Sequence, residues 1–424
     1  MQKIIEYIIK FLLPDNEEFA GEVGYTNNEN EFENFRVIIR PSGFFDKENY
    51  GQISSLPKLP LQKIDNTEIL FGTPDIEQVN GKIIVKADII AGSFFLLSRY
   101  EEWLCSDVFD VHSRFEGKKS LQYRANFINR PLVDEYAVLL RKWLKITGLE
   151  VKEPTRQIQK IYLTHDIDVL EFYRHLRGIA GGMWRNFKNI KTIIRSLSDI
   201  KNDPAYTFDF LVEQDNKIKD AEKIYFVKAA KKAKNFDKPQ YNLLGSDFQN
   251  LVKFLRQNNG KIGLHSSYNS FSCPQNIENE RIRISKAISE DVACHRTHFL
   301  RILPPNQANF YTQAGITDDF TLGFADVAGF RLGTCRPVRW LNPQTLDIEN
   351  ITLHPLTIMD CTLSNENYMN LDFETAFEAC RNLINEVKKH NGELVLLWHN
   401  TSVIPDSNSY HRQLYEKIIE DLYC

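Results

Sequence analysis

"DFQNLVKFLRQNNGKIGLHSS" (residues 247–267) and "ETAFEACRNLINEVKKHNGELVLLWHN" (374–400) share one grammar. In the first, Leu251, Phe254 and Leu255 recur at helical spacing, Asn259-Gly260 ends the helix, and an apolar run closes on His265. In the second, Phe377, Cys380, Leu383, Ile384 and Val387 form one helical face, Asn391-Gly392 stops it, and "ELVLLW" runs into His399. A helical stripe, an Asn-Gly terminator and a continuous apolar run of strand length make the αβ unit of a parallel sheet buried on both faces. "EKIYFV" (222–227) and "HFLRIL" (298–303) read as further strands, with "ITLHPLTIM" (351–359) a weaker one. In such α/β folds chemistry gathers at the carboxyl ends of the strands. His265 and His399 stand at such ends.

A third end is more crowded. "IYLTHDIDVL" (161–170) begins as an apolar run and finishes with His165, Asp166 and Asp168 inside four residues. Two carboxylates that close repel unless a cation or hydrogen bonds hold them. Oxygen and nitrogen donors without a thiolate suit a divalent ion, and a catalytic zinc keeps one position open for water. An aspartate beside that water can act as general base, and a histidine across from it can protonate a departing amine or alkoxide. Taken singly, His265 or His399 reads as a packed, hydrogen-bonded histidine. Their shared place at strand ends with Asp166 and Asp168 is what points to a site. His112, His175, His354, His390 and His411 carry no such pattern.

Upstream, residues 1–155 read as a smaller α+β domain, with 156–424 as the second domain. Short β-like pieces ("FRVIIR", "EILFG", "GKIIVKADIIAG") alternate with Gly, Pro and Asn turns, followed by helical segments near 92–104 and 131–147. Arg99, Glu101 and Glu102 in "FFLLSRYEEWL" read as a solvated helix face. "VKEPTRQIQ" (151–159) reads as a linker. A helical insertion near 170–220 is rich in Arg and Lys among aliphatic and aromatic residues. A solvated or partner-facing surface is its simplest reading, because Gly181-Gly182 breaks any long amphipathic helix. Peripheral membrane contact through 170–200 is the alternative.

The chain has 424 residues, enough for two or three domains, and a formal net charge of −4, which gives no reason to expect nucleic acid as a partner. Its seven cysteines are scattered and include no C-x-x-C pair, the usage of a reducing compartment. The first residues, "MQKIIEYIIKFLLP", read as a short amphipathic helix stopped at Pro14 rather than a signal peptide, since Glu6 and Lys10 interrupt the apolar run. No stretch of spanning length is present. These features predict a cytoplasmic protein.

The motifs together resemble the polysaccharide deacetylases, the NodB-homology carbohydrate esterases, and in particular a bacterial branch with a THDID or THDVD first motif and an extra N-terminal domain. "THDID" (164–168) matches the D-x-D element, "HSSYN" (265–269) the H-(S/T)-x-x-H motif, "RTHF" (296–299) the R-x-x-Y motif, and "LLWH" (396–399) the final motif. "DDFTLG" (318–323), "GFRLGT" (329–334), "FLLSRYEE" (95–102) and "INRPLVDEY" (128–136) also resemble that branch. The resemblance implies a distorted (β/α) barrel, with Asp166 as base, Asp168 and His265 as metal ligands, Arg296 beside the base and His399 as general acid. It implies a divalent ion, zinc or else nickel or cobalt, and a saccharide substrate.

Two positions depart from the pattern. Asn269 stands where the second motif histidine belongs, and Phe299 occupies the tyrosine slot. Three arrangements answer the first departure: His298 as a ligand from a neighbouring strand, Asn269 binding through its amide oxygen, or a site without metal. His165, Asp319, Arg331 and Asp360 are candidates for supporting or substrate-contacting roles, with Arg331 and Asp319 also readable as a structural ion pair. The implied function is metal-dependent deacetylation of an N-acetylated sugar. Its rivals are a catalytically lapsed barrel that binds a saccharide or pathway partner, and hydrolysis of another C–N bond such as a cyclic imide or ureide.

Overall fold

A computed structural model describes residues 1–105, 108–174, 178, 190–405 and 409–423. The N-terminal part holds β1 (Val23–Tyr25), β2 (Val37–Ile39), the hairpin β3 (Gln62–Ile64) and β4 (Thr67–Ile69), β5 (Gly72–Val79) and β6 (Lys82–Ala87). Its four-stranded sheet runs β1-β2-β6-β5, parallel except for the β5/β6 pair. Helices Gln2–Leu12, Ile89–Leu97 and Leu132–Ile146 pack against one another beside it.

The second part is one nine-stranded sheet. Its strands are β7 (Lys160–Ile167), β8 (Glu222–Lys228), β9 (Gly260–Ser266), β10 (Cys294–Thr297), β11 (Asp318–Asp319), β12 (Val338–Leu341), β13 (Ile348–Leu353), β14 (Ile358–Met359) and β15 (Glu393–Leu397). Their order is β12-β13-β11-β10-β9-β8-β7-β15-β14, and only the edge strand β12 runs antiparallel. Among the described residues no ladder joins the two edge strands β12 and β14, so the sheet is curled rather than closed into a full barrel. The curl is large. Arg296 on β10 reaches Asp166 on β7 at 2.9 Å, although three strand spacings of about 4.8 Å would separate them in a flat sheet.

Strand alternation sorts the side chains into two sets. Tyr162, Ile224, Phe226, Val395 and Leu397 form a cluster on the concave face, together with Phe320 and Met359. Their sequence neighbours Leu163, Tyr225, Val227, Leu394 and Leu396 pack outward under the helices. The concave face is crowded enough that a Cβ at Gly263 would meet the Phe226 ring at 2.5 Å.

The two αβ units that decide the fold are present: helix Ser246–Gln257 leads into β9, and helix Phe373–Lys389 leads into β15. In each terminator the asparagine, not the glycine, takes the left-handed turn, with φ of 60° at Asn259 and 51° at Asn391. "HFLRIL" is not a strand. The strand is Cys294–Thr297, and the chain turns at His298–Leu300. "ITLHPLTIM" is divided between β13 and β14.

The solvated-face reading of Arg99, Glu101 and Glu102 is also corrected, because all three are buried. Glu102 accepts two hydrogen bonds of 2.8 Å from Arg331, and Arg99 donates to the Leu303 carbonyl and stacks over Trp340. Arg99 and Glu102 thus act across the contact between the N-terminal part and the curled sheet, Glu101 is held within the N-terminal part by Arg124 and the Leu121 amide, and one hydrophobic cluster runs through both parts.

Within the expected insertion, helices Ile190–Ser198 and Phe208–Asp215 are formed. His175 and Gly181-Gly182, like most of 175–189, lie outside the described residues. Among the described residues no helix is long and apolar enough to cross a membrane, and no disulfide is formed.

Candidate active site

The alternation that builds the concave face also delivers the site. Asp166 and Asp168 share the parity of Tyr162, His399 that of Leu397, and Arg296 stacks over the concave Phe226 ring at 4.4 Å. His265 follows Ile262 and Leu264, which pack outward, and therefore faces inward. Asp168, His265 and His298 each offer one atom to a group whose members lie within 4.8 Å of one another.

Hydrogen bonds set the two imidazoles for ligation. His265 Nδ1 donates to the Arg296 carbonyl at 3.1 Å, and a carbonyl can only accept, so the Nε2 lone pair is left free. His298 Nδ1 donates to Asp237 Oδ1 at 2.9 Å, the carboxylate–histidine pairing typical behind a metal ligand. His265 Nε2 and His298 Nε2 stand 3.6 and 3.5 Å from Asp168 Oδ1. These distances are too long for good hydrogen bonds and match the edge, about 3.4 Å, of a tetrahedron with bonds of about 2.1 Å. Asp168 Oδ1 and His265 Nε2 are buried without any hydrogen-bond partner. Buried polar atoms are rarely left so, which makes the three residues a fitting cation site. Burial, against the opposing pull of Asp166, pushes the His265 imidazole down to about 4 and keeps it neutral for that role.

Beside this triad sits a charged pair. Arg296, fully buried, donates from Nη1 to Asp166 Oδ1 at 2.9 Å and from Nε to the Phe320 carbonyl at 3.0 Å. Burial alone would raise the Asp166 carboxyl, but His265, Arg296 and His399 outweigh it and hold it below the usual carboxylate range. Opposite, His399 Nδ1 donates to Asp360 Oδ1 at 2.8 Å, and the His399 amide donates to Asp360 Oδ2. Burial would depress the His399 imidazole, yet Asp360 and Cys361 raise it well above its ordinary value. The His399 Nε2 atom points back at Asp166 and Asp168, at 4.0 and 3.9 Å. A cavity of about 260 Å³ opens over these groups. Asp166, Asp168, His298 and His399 line it together with Phe299, Cys361, Tyr368 and Arg114.

The remaining candidates lie elsewhere. Asn269 sits in the turn Tyr268–Phe271, where its carbonyl accepts from the Ser272 and Cys273 amides, and its side chain makes no hydrogen bond to Asp168 or His265. His165 has the outward parity. Its ring bridges Asp215 Oδ2 at 3.0 Å and the Trp398 carbonyl at 3.0 Å, so it supports the strand end that carries His399. Asp319 also faces outward, held by His295 at 2.7 Å and Thr321 at 2.8 Å. Arg331 pairs with Glu102, so the expected Arg331–Asp319 ion pair is not formed.

Asp237, Cys361, Tyr368 and Arg114 have no counterpart among the sequence candidates. Asp237 closes the short 3-10 turn Asn235–Asp237 after β8 and meets His298 only through the fold, so no local signal announces it. A further acidic group, Glu135, Glu386 and His390, lies away from the cavity, and its carboxylates are already engaged by Arg130 and Lys389.

The profile of a family of unknown function, DUF7033, matches residues 1–148. Comparison with curated proteins gives no match. Among solved structures, the chain is similar to a protein from Mycobacterium smegmatis assigned as a polysaccharide deacetylase, at 11% identity and a TM-score of 0.41, covering 65% of this chain and 87% of that one. It is also similar to a PuuE allantoinase, at 10% identity and a TM-score of 0.39, covering 64% of this chain and 87% of that one. At such scores, function is argued from the side chains themselves.

Proposed function

We propose that the protein is a divalent-metal-dependent hydrolase of a non-peptide C–N bond, and that it removes the acetyl group from an N-acetylated saccharide. One observation carries this reading: Asp168 Oδ1 and His265 Nε2 are buried without partners and converge with His298 Nε2. Asp168, His265 and His298 would hold the ion, with zinc the first choice for an oxygen–nitrogen donor set and nickel or cobalt the alternatives. When bound, such an ion polarises a carbonyl and lowers the pKa of a water.

The chain's own groups would supply the proton transfers. Asp166, kept ionised by Arg296, accepts the proton of the attacking water. His399, protonated and oriented by Asp360, donates to the departing amine. The cavity lies slightly below the usual ligand-pocket range of about 300–1,000 Å³, a size suited to an acetamido group and part of one sugar ring rather than a buried oligomer. The lapsed-barrel reading rests on Asn269 and Phe299, and His298 answers the first of these by offering a second imidazole from the turn after β10.

The test is metal analysis of the purified protein joined to a substrate panel. N-acetylated oligosaccharides should release acetate, with turnover lost on chelation, while cyclic imides and ureides should be inert. Turnover of a cyclic substrate instead would move the reading to another C–N bond. Full activity in Asp166→Asn would overturn the assignment of the base.

A further inference from the structure

Among the described residues, the N-terminal part reaches the cavity through Arg114. The residue sits in a short loop closed by the bridge between Phe109 and Phe115. Asp110 organises that loop: its Oδ1 accepts from the His112 and Arg114 amides, and its Oδ2 accepts from Arg114 Nε at 2.8 Å. The loop is also tied to the curled sheet. Arg301 Nε donates to the His112 carbonyl, and the Gly117 and Lys118 amides donate to the Asp326 carboxylate at 2.8 and 2.9 Å.

From this anchored position the Arg114 fork spends its donors on the cavity wall. Nη2 donates to the Tyr368 hydroxyl at 2.9 Å, and Nη1 donates to the Phe299 carbonyl at 3.3 Å. That carbonyl belongs to an unusual turn. Phe299 has φ of 62° and Leu300 has φ of 54°, two consecutive left-handed residues with side chains, directly after His298. Such a conformation carries a steric penalty and persists only where surrounding contacts hold it. Leu300 is buried in the concave cluster, the Phe299 ring packs against His112 and Phe236, and Arg114 grips the carbonyl between them.

We propose that Arg114 is a positioning residue for the metal centre: by holding the Phe299 carbonyl it fixes the left-handed turn that aims His298 Nε2 at Asp168. The N-terminal part thereby belongs to the site rather than being an appendage to it. This inference rests on the metal reading above.

The test measures zinc affinity of the full chain by competition with a chromophoric chelator, together with the thermal midpoint of the metal-free protein. Arg114→Gln should weaken zinc binding about 10- to 100-fold, the usual effect of removing a group that orients a ligand, with a metal-free midpoint close to wild type. Arg114→Lys, which keeps the charge beside Asp110 but not the fork, should weaken it in the same direction, and it stands in if the glutamine variant does not fold. Wild-type affinity in either folded variant overturns the proposal, as does a lowered midpoint with unchanged affinity. Loss of binding in His298→Ala but not in the Arg114 variants would sink this inference and leave the metal reading standing. A wild-type chain that binds no zinc, nickel or cobalt overturns both.

Discussion

His298 Nε2 faces Asp168 Oδ1 across 3.5 Å, although the two residues leave β10 and β7, with two strands between them. Only a strongly curled sheet brings those ends together. The proposed ligand group is therefore a product of the tertiary fold, and its members should respond separately to substitution.

His298→Ala should lower zinc affinity at least about 100-fold, since one of three ligands is lost from a buried group. Asn269→Ala should leave affinity unchanged, because the Asn269 side chain has no bond to Asp168 or His265. Isothermal titration of both variants decides the matter. The reverse ranking would return the ligand role to the motif position.

In the proposed mechanism Asp166 and His399 belong to the proton path, not to the ligand group. Asp166→Asn and Asp360→Asn should each reduce acetate release by about 10²–10⁴, the range for a positioned acid or base, while the metal content stays that of the wild type. Asp360 acts through His399, to which it presents both carboxylate oxygens. Metal loss in Asp166→Asn would mean that this carboxylate ligates.

Much of this was legible because strand periodicity is local. The αβ grammar of 247–267 and 374–400 placed two histidines at strand ends, and both face the cavity side of the sheet. Period-two alternation also carried more than the motif match used: His165 falls on the parity of Leu163, and both pack outward. "HFLRIL" misled because an apolar run does not reveal backbone hand, and Phe299 and Leu300 turn left-handed instead of extending. Arg99, Glu101 and Glu102 misled for a different reason. A charged helix face reads as solvated unless its partners are visible, and Arg331 lies more than two hundred residues away. Asp237 and Arg114 were out of reach because each acts through a long-range contact with no pattern of its own.

The contact around Arg331 is expected to govern stability rather than chemistry. Arg331 and Glu102 are almost fully buried, and their two hydrogen bonds of 2.8 Å leave little room for water. Arg331→Ala would leave the buried Glu102 carboxylate without its two closest donors, with Arg99 at 3.5 Å, at a cost of about 3–5 kcal/mol, the range for breaking a buried ion pair. Urea denaturation reads this directly. A loss below about 1 kcal/mol would show that the pair is dispensable.

His354 links folding to pH. It follows β13 and joins two strands that are not neighbours in the sheet, with Nε2 at 3.1 Å from Asp318 on β11 and Nδ1 at 2.8 Å from Glu393 on β15, its ring stacked on Phe320. Burial alone would depress the imidazole, but these two carboxylates outweigh it and push it up to about 8. An unfolded histidine titrates near 6.5, so the folded chain binds this proton more tightly. The added stability is fully present below about pH 6.5 and is lost as pH rises through about 8, a change of about 2 kcal/mol. Denaturation free energies of wild type and His354→Gln, measured from pH 6 to 9, should therefore converge as pH rises. A constant gap between the two curves across that window would show that the proton does not stabilise the link between Asp318 and Glu393.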